Sequence, residues 1–374
     1  MNFSLNTYLE ELRPLINVDC GTLTVEGIEV IANIMTEKYE NMGGWNIKRV
    51  DCGIAGVGLE IRNKPEAEHI DVMLIGHMDT VFPVGTAAER PMSNDENRAY
   101  GPGVSDMKSG LLNVVYALRD LDVSVRDALS ICVCMNPDEE IGSLHSEAWL
   151  KSVAKDARHV LVAEAARADG SLVKARKGMA RYRMTFHGKA AHAGNEPQNG
   201  RSAITEMAHW ILALNAMTDF ETGTTLNVGV VNGGDGANIV PQHAEAVVDV
   251  RFWDNDEYAL VDSKIRALTE TPFVDGVTVS LVREATKPAM APTSKTESLM
   301  AMIEETGNDL GIDITWQEVG GGSDANLTAV LGVPTLDGLG PIGAGFHSDA
   351  EYLELHSIEP RIKLLKAVLE KLAK

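Results

Sequence analysis

Cysteine is scarce in this sequence. Four residues in 374 (Cys20, Cys52, Cys132, Cys134) are too few and too scattered for a disulfide scaffold. Basic residues are also few: 33 Lys and Arg stand against 54 Asp and Glu, a formal charge of −21. That balance argues against a nucleic-acid partner, which needs a basic face, and against an anionic membrane surface. No apolar stretch reaches the ~18 residues of a spanning helix. The opening segment MNFSLNTYLEELRPLINVDC has early acids and no secretory apolar core. These absences lead to the expectation of a cytoplasmic protein without nucleic-acid or membrane partners. Cys132 and Cys134 alternate within ALSICVCM and read as buried strand residues; a C-x-C zinc pair is the alternative, with no second Cys/His pair nearby. What remains is ordinary globular composition, 44% hydrophobic and 23% charged, in a chain long enough for two domains.

Short apolar runs alternate with amphipathic stretches in the first half. HIDVMLIG (69–76), ALSICVCM (128–135) and HVLVAE (159–164) read as buried strands of a largely parallel sheet. Between them, helices are expected over 106–121 and from about Ser143 to Val153. The middle differs. GMARYRMTFH (178–187) alternates like a half-exposed strand, Ser202 to Leu214 has helical spacing, TTLNVGVVNGG and AEAVVDVRFW read as strands, and a helix near 256–269 precedes the strand VTVSLVRE. The α/β style then returns, with helices near 297–310, from Ser323 and from about Ile358, and the short strand PTLDG. The predicted fold class is therefore α/β: residues 1–175 and 288–374 form a catalytic domain with a mainly parallel sheet, interrupted by an inserted α+β domain at 176–287.

Acids and histidines cluster where the predicted strands end. LIGHMDTVF puts His77 and Asp79 just beyond a buried strand, on the same side of an extended chain. Ligands in open parallel sheets gather at the carboxyl ends of strands. His77 is either a metal ligand, with Asp79 behind it, or a strand-end histidine in a plain hydrogen bond. GPGVSDMKSG brings Asp106 to a predicted helix start, where capping is the simpler reading; it lacks the third glycine of a phosphate loop. NPDEEIGS crowds Asp138, Glu139 and Glu140 onto a strand–helix junction. Three such carboxylates either are solvated or need a cation or proton to relieve their repulsion. Glu164 closes the apolar run VLVAEA, and FHSDAEY places His347 after a glycine-rich loop.

Taken in order, H-x-D, G-P-G-x-x-D, D-E-E-I-G-S, A-E and F-H-S-D-x-E-Y resemble the co-catalytic di-zinc exopeptidase and deacylase family of glutamate carboxypeptidase, peptidase T, acetylornithine deacetylase and succinyl-diaminopimelate desuccinylase. The resemblance runs over essentially the whole chain. It implies a zinc-exopeptidase-like catalytic domain with a ferredoxin-like lid that also dimerises. It implies two Zn2+ per subunit, with Co2+ or Mn2+ as possible substitutes. Asp106 would bridge them, His77 and Glu164 completing one ion and Glu140 and His347 the other. Glu139 would be the general base, and Asp79 the acid behind His77. Two adjacent glutamates cannot both bind metal without strain, which agrees with that division.

The resemblance also implies substrate contacts. His192, in AAHAGNEP, is similar to the family's lid histidine, supplied by the partner subunit in known dimers. Asn238 (GGDGANIVP) and Arg251 (VDVRFW) match positions used for a substrate carboxylate; from the residues alone they read equally as a turn amide and a strand-edge arginine. Lys287, in TKPAM, stands where glutamate carboxypeptidase has arginine, and lysine lacks the planar fork. Lys174, Arg176 and Lys177 form a basic cluster at the predicted hinge, and GGGSDAN (320–326) resembles the family's glycine-rich loop beside substrate. GHMDTVF, NPDEEIGS and GGGSDAN look nearest to the glutamate carboxypeptidase branch. The expected activity is release of a C-terminal amino acid from a small peptide or N-acyl precursor; the alternative is an N-acyl-amino-acid deacylase of acetylornithine or succinyl-diaminopimelate type.

Overall fold

The apolar runs form central strands because a strand covered on both faces has no polar side to alternate with. The computed structural model describes residues 3–374, which divide into two units. One runs to Ala175 and resumes over Pro292–Val319 and Ser323–Lys374; the other is Arg176–Ala291 with Gly320–Gly322.

The first unit is built on a mixed six-stranded sheet. β1 (Asn46–Asp51), β2 (Val57–Arg62), β3 (Ile70–His77), β4 (Ile131–Asn136) and β5 (Ala157–Val162) lie in the order β1-β2-β4-β3-β5, with Thr335–Leu336 beyond β5. β1–β2 and β2–β4 are antiparallel, whereas β3–β4, β3–β5 and β5 with Thr335–Leu336 are parallel. The β1–β2 hairpin is absent from the strands expected from the sequence. NIKRVD is half charged, and its residues are exposed or half-buried at the sheet edge, so it carries no apolar run. Register aligns the strand ends: His77 lies opposite Asn136, and Ile75 opposite Val162. Three neighbouring parallel strands thus end side by side, each leading into a loop with candidate residues.

Helices cover the sheet. α1 (Leu5–Ile16) starts on Ser4, whose hydroxyl accepts the Thr7 N–H, and buries Tyr8, Leu12 and Leu15 on one stripe. α2 (Val25–Met42) buries Ile28, Ile31, Met35 and Tyr39. α3 (Ser109–Arg119) is buried almost all round. It begins three residues later than expected: Val104–Lys108 form a wide turn, with Asp106 at φ −115° and ψ 90°. The reason is local. The N–H groups of Gly103, Ser105 and Asp106 are taken by the Glu351 carboxylate and not by helical carbonyls, so Asp106 is not a helix cap. α4 (Glu147–Ala154) likewise starts later than Ser143. The closing helix Ile358–Leu372 begins where expected.

The second unit repeats strand–helix–strand. β6 (Gly178–His187), β7 (Thr225–Gly233), β8 (His243–Phe252) and β9 (Thr278–Lys287) form an antiparallel sheet in the order β7-β8-β6-β9. α5 (Ala203–Asn215) joins β6 to β7, and α6 (Asn255–Ala267) joins β8 to β9. This is the βαββαβ ferredoxin-like arrangement. Burial alternates along β6 and β8, and Tyr182, Met184, Phe186, Val248, Val250 and Phe252 pack with Trp210, Leu214 and Ile265 in a separate core. Among the described residues no helix is long and apolar enough to cross a membrane.

Candidate metal centre

β3 delivers His77 as its last residue, fully buried. The loop after β4 delivers Glu139 and Glu140, the segment after β5 delivers Glu164, and the wide turn delivers Asp106. His347 comes from a late loop and takes a φ of 60°, a left-handed backbone that a residue with a Cβ rarely adopts.

These side chains converge. His77 Nε2 lies 3.1 Å from Asp106 Oδ1 and 3.4 Å from Glu164 Oε1. His347 Nε2 lies 3.2 Å from Asp106 Oδ2 and 3.2 Å from Glu140 Oε2. Asp106 therefore turns one oxygen toward each histidine and divides the group into two halves. His77, Asp106 and Glu140 each offer a donor atom within 4.8 Å of the others. Donor atoms on a tetrahedral cation with ~2.0–2.1 Å bonds are themselves ~3.3 Å apart, and the four contacts fall on that spacing.

The electrostatics fit the same cargo. Burial pulls the His77 pKa down, but Glu164, Asp106 and Asp79 outweigh it and hold it well above its usual value. Hydrogen bonds to Asp106 and Glu140 push His347 up to about 10. Burial would raise Asp106; His347 and His77 prevail and hold it well below the carboxylate range. Burial pushes Glu140 up to about 7 and Glu164 up to about 8, against the opposing pull of the histidines. Carboxylates driven toward neutrality beside imidazoles driven toward charge are a donor set short of positive charge. A divalent cation supplies that charge, so the residues present fit one.

Asp79 is the hub behind this group. It is fully buried. Its Oδ1 accepts the Glu139 N–H at 3.1 Å, and its Oδ2 accepts the Glu140 N–H at 3.2 Å and the Thr22 hydroxyl at 2.5 Å. His77 Nδ1 lies 3.0 Å from the Asp79 main-chain carbonyl and 3.3 Å from its Oδ1. Asp79 thus orients the His77 ring through its main chain and its carboxylate, and the carboxylate fixes the backbone of both glutamates. Thr22 was missed by sequence reading, and Glu351 entered it only as the acid of F-H-S-D-x-E-Y, without a role. Also missed was a buried link in which Ser143 Oγ donates to Asp324 Oδ1 at 2.5 Å, tying the loop after Glu140 to the segment after the glycine-rich stretch.

The candidate residues of the second unit divide. His192 and Asn238 are neighbours, because Ala191–His192 pairs with Ile239–Val240 and the Ala193 N–H donates to the Asn238 carbonyl at 2.9 Å. His192 is exposed, and its Nδ1 accepts the N–H groups of Gly194 and Asn195 at 3.1 and 3.0 Å. Arg251 is engaged by Asp249 through contacts of 2.7 and 3.2 Å. Lys287 closes β9 and is buried. The basic cluster is committed internally: Lys174 pairs with Glu318 at 3.1 Å, Arg176 donates to the Gly321 carbonyl at 3.0 Å, and Lys177 donates to the Gly223 carbonyl. Cys132 and Cys134 are buried free thiols on β4 with sulfurs 3.8 Å apart.

Known proteins are similar to this chain in sequence and in fold. Residues 174–277 match the family described as the peptidase dimerisation domain. The sequence is 31% identical over 365 residues to carboxypeptidase G2 of Pseudomonas sp. (strain RS-16), covering 95% of this chain and 86% of that one. It is 25% identical over 334 residues to succinyl-diaminopimelate desuccinylase of Methylibium petroleiphilum, covering 83% and 84%. Among solved structures, aminopeptidase PepT from Bacillus cereus superposes with a TM-score of 0.81 at 22% identity, covering 99% of both chains. The M20 family metallo-carboxypeptidase Sso-CP2 from Sulfolobus solfataricus gives 0.72 at 18% identity, covering 100% of both. These two establish a shared fold.

Proposed function

The chain belongs to the M20 metallopeptidase family, and from that premise we propose that it is a two-zinc amidohydrolase releasing a C-terminal amino acid of glutamate type from a small peptide or N-acyl precursor. One observation carries the reading: Asp106 presents its two oxygens to two different histidines, each with its own further carboxylate. In this reading Asp106 would be shared between two ions, with His77 and Glu164 the further residues that would hold one and Glu140 and His347 those that would hold the other. Bound there, the ions supply Lewis-acid polarisation and lower the pKa of water.

The chain's own residues do the rest. Glu139 accepts a proton from the attacking water and returns it to the leaving nitrogen. Its main chain is pinned to Asp79, so the carboxylate is aimed by a buried anchor. Asp79 holds the His77 ring at Nδ1 through its main-chain carbonyl and its carboxylate, so that Nε2 would be left for a metal. With Nδ1 of His192 accepting two backbone N–H groups, a neutral ring carries its proton on Nε2. That is a donor for a developing oxyanion. Asn238 beside it, with Arg251 and Lys287, is the proposed recognition set for the substrate carboxylate. Arg251 would have to exchange Asp249 for it. Assembly as a homodimer through residues 174–277 is part of the reading, supported by the dimerisation-domain match. Four free thiols suit the reducing cytoplasm.

The test is a substrate panel with and without a chelator. Chelator-sensitive cleavage of N-acyl-glutamate or of dipeptides with acidic C-termini supports the proposal. Preference for acetylornithine or succinyl-diaminopimelate moves the protein to the deacylase branch, an alternative favoured by its desuccinylase relative.

A further inference from the structure

The motif FHSDAEY contains an acid that the proposed chemistry leaves without a role. Glu351 follows His347 by four residues and is 1% exposed. A buried carboxylate is costly unless donors surround it, and here they do. Oε2 accepts the Gly103 N–H at 2.9 Å; Oε1 accepts the N–H groups of Ser105 and Asp106 at 2.9 and 3.0 Å and the Ser105 hydroxyl at 3.2 Å. All four donors belong to the turn that carries Asp106. That turn is non-helical at Asp106 and is entered through Gly103 at φ 73°. A Cβ at Gly103 would sit 2.6 Å from Thr80 Cγ2, so the glycine is needed as much for closeness as for its dihedral.

The anchor itself is fixed. Tyr352–Glu354, the strand after Glu351, pairs antiparallel with Arg98–Tyr100, the strand that leads into the turn. One short loop therefore reaches the same aspartate twice. His347 meets its side chain at 3.2 Å, and Glu351 holds its main-chain N–H.

We infer that Glu351 is a positioning residue: it clamps the 103–106 turn so that the Asp106 carboxylate faces both halves of the metal centre, and so lets the second ion bind. The inference rests on the proposed bridging role of Asp106. Glu351→Gln tests it closely, because the amide keeps one accepting oxygen but turns an NH2 group toward one of the backbone donors. The turn then loses part of its clamp without losing volume.

The experiment is zinc titration of the apo full-length protein, wild type against Glu351→Gln, together with the visible spectrum of the cobalt-loaded forms. Apo-protein thermal unfolding serves as the control for folding. The expected result is two ions in wild type, and in the variant one ion at wild-type affinity with the second weakened about 10–100-fold and the cobalt spectrum altered. A purely structural glutamate would lower the unfolding temperature and leave the ratio of the two affinities alone. A wild type with two ions beside a variant that matches it overturns this inference only. A wild type that takes up no second ion overturns the bridging reading, and this inference with it. Should Glu351→Gln fail to fold, Ser105→Ala removes only the hydroxyl donor. At unchanged apo stability it must still weaken the second ion at least about twofold, and an unchanged titration overturns the inference.

Discussion

Thr22 donates its hydroxyl hydrogen to Asp79 Oδ2 at 2.5 Å across 57 residues of sequence. The same oxygen accepts the Glu140 N–H, so the hydroxyl helps set how Asp79 faces His77. Thr22→Val keeps the shape and deletes the donor. We expect kcat to fall about 10–100-fold, as for other partners lying behind metal ligands, with KM little changed. Thr22→Ser should restore most of the activity, since it restores the donor. Steady-state kinetics of the two variants check this; a valine variant with wild-type kcat would show that the contact is incidental.

The legible part of this protein was its buried strands and the acids that end them. β3, β4 and β5 read as apolar runs because both their faces are covered, and their shared direction places His77, Glu140 and Glu164 together. The inserted unit was legible from alternation, which β6 and β8 keep because one face is buried. Thr22 and Glu351 were not legible. Each acts through a hydrogen bond to a distant segment, over 57 and 245 residues in the cases of Asp79 and the Asp106 N–H. Neither lies in a pattern of period two or 3.6. Glu351 had a faint signal, an acid between an apolar residue and an aromatic at the start of a short strand. Asp106 was misplaced onto a helix because a Gly-Pro-Gly turn followed by an acid has the same composition as a capped helix start.

Glu11 joins three helices. Lys38 of α2 donates to it at 2.6 Å, and from α3 Arg119 donates at 3.1 Å and Tyr116 at 2.9 Å. Burial pushes its pKa up, but the bonds from Arg119, Lys38 and Tyr116 prevail and hold it at about 2, below the ordinary 4.5. A carboxyl whose folded pKa is depressed contributes stability above its unfolded pKa and loses it as pH falls through the folded one. The contribution is therefore complete above about 4.5 and is lost on the way down to about 2. Water screens the pairs and leaves on the order of 1 kcal/mol. In urea unfolding, Glu11→Gln should be less stable than wild type by that amount at about pH 6, and the gap should narrow toward about pH 3. A gap that stays constant with pH would mean that packing, and not charge, makes the difference.

Glu206 is the corresponding anchor inside the second unit. It is fully buried on α5 and accepts Trp210 Nε1–H at 3.0 Å and the N–H groups of Phe273 and Val274 at 3.2 and 2.7 Å. Glu206→Ala leaves three buried donors without this acceptor and opens a cavity beside Trp210. The expected loss is on the order of 3 kcal/mol, read as a lower thermal midpoint. Glu206→Gln retains one accepting oxygen and should lose less. Equal losses in the two variants would assign the effect to side-chain volume.

Glu139 and Glu140 are neighbours in sequence, and their backbones hang on the same Asp79 carboxylate. The proposed division of labour makes them separable by two measurements on the same variants. Glu139→Gln removes a proton acceptor and no ligand. Zinc content should stay at the wild-type level while kcat falls about 10²–10⁴-fold, with KM nearly unchanged, because substrate binding does not depend on the proton transfer. Glu140→Gln replaces a carboxylate that lies 3.2 Å from His347. It should lower zinc content itself, and added zinc should recover part of the lost activity, since an amide oxygen is a poorer ligand than a carboxylate but not an absent one. The pattern cannot be produced by general destabilisation, which would lower both quantities in both variants. Metal analysis and steady-state kinetics on each variant decide it. If Glu139→Gln lost zinc while Glu140→Gln kept it, the two roles would be exchanged.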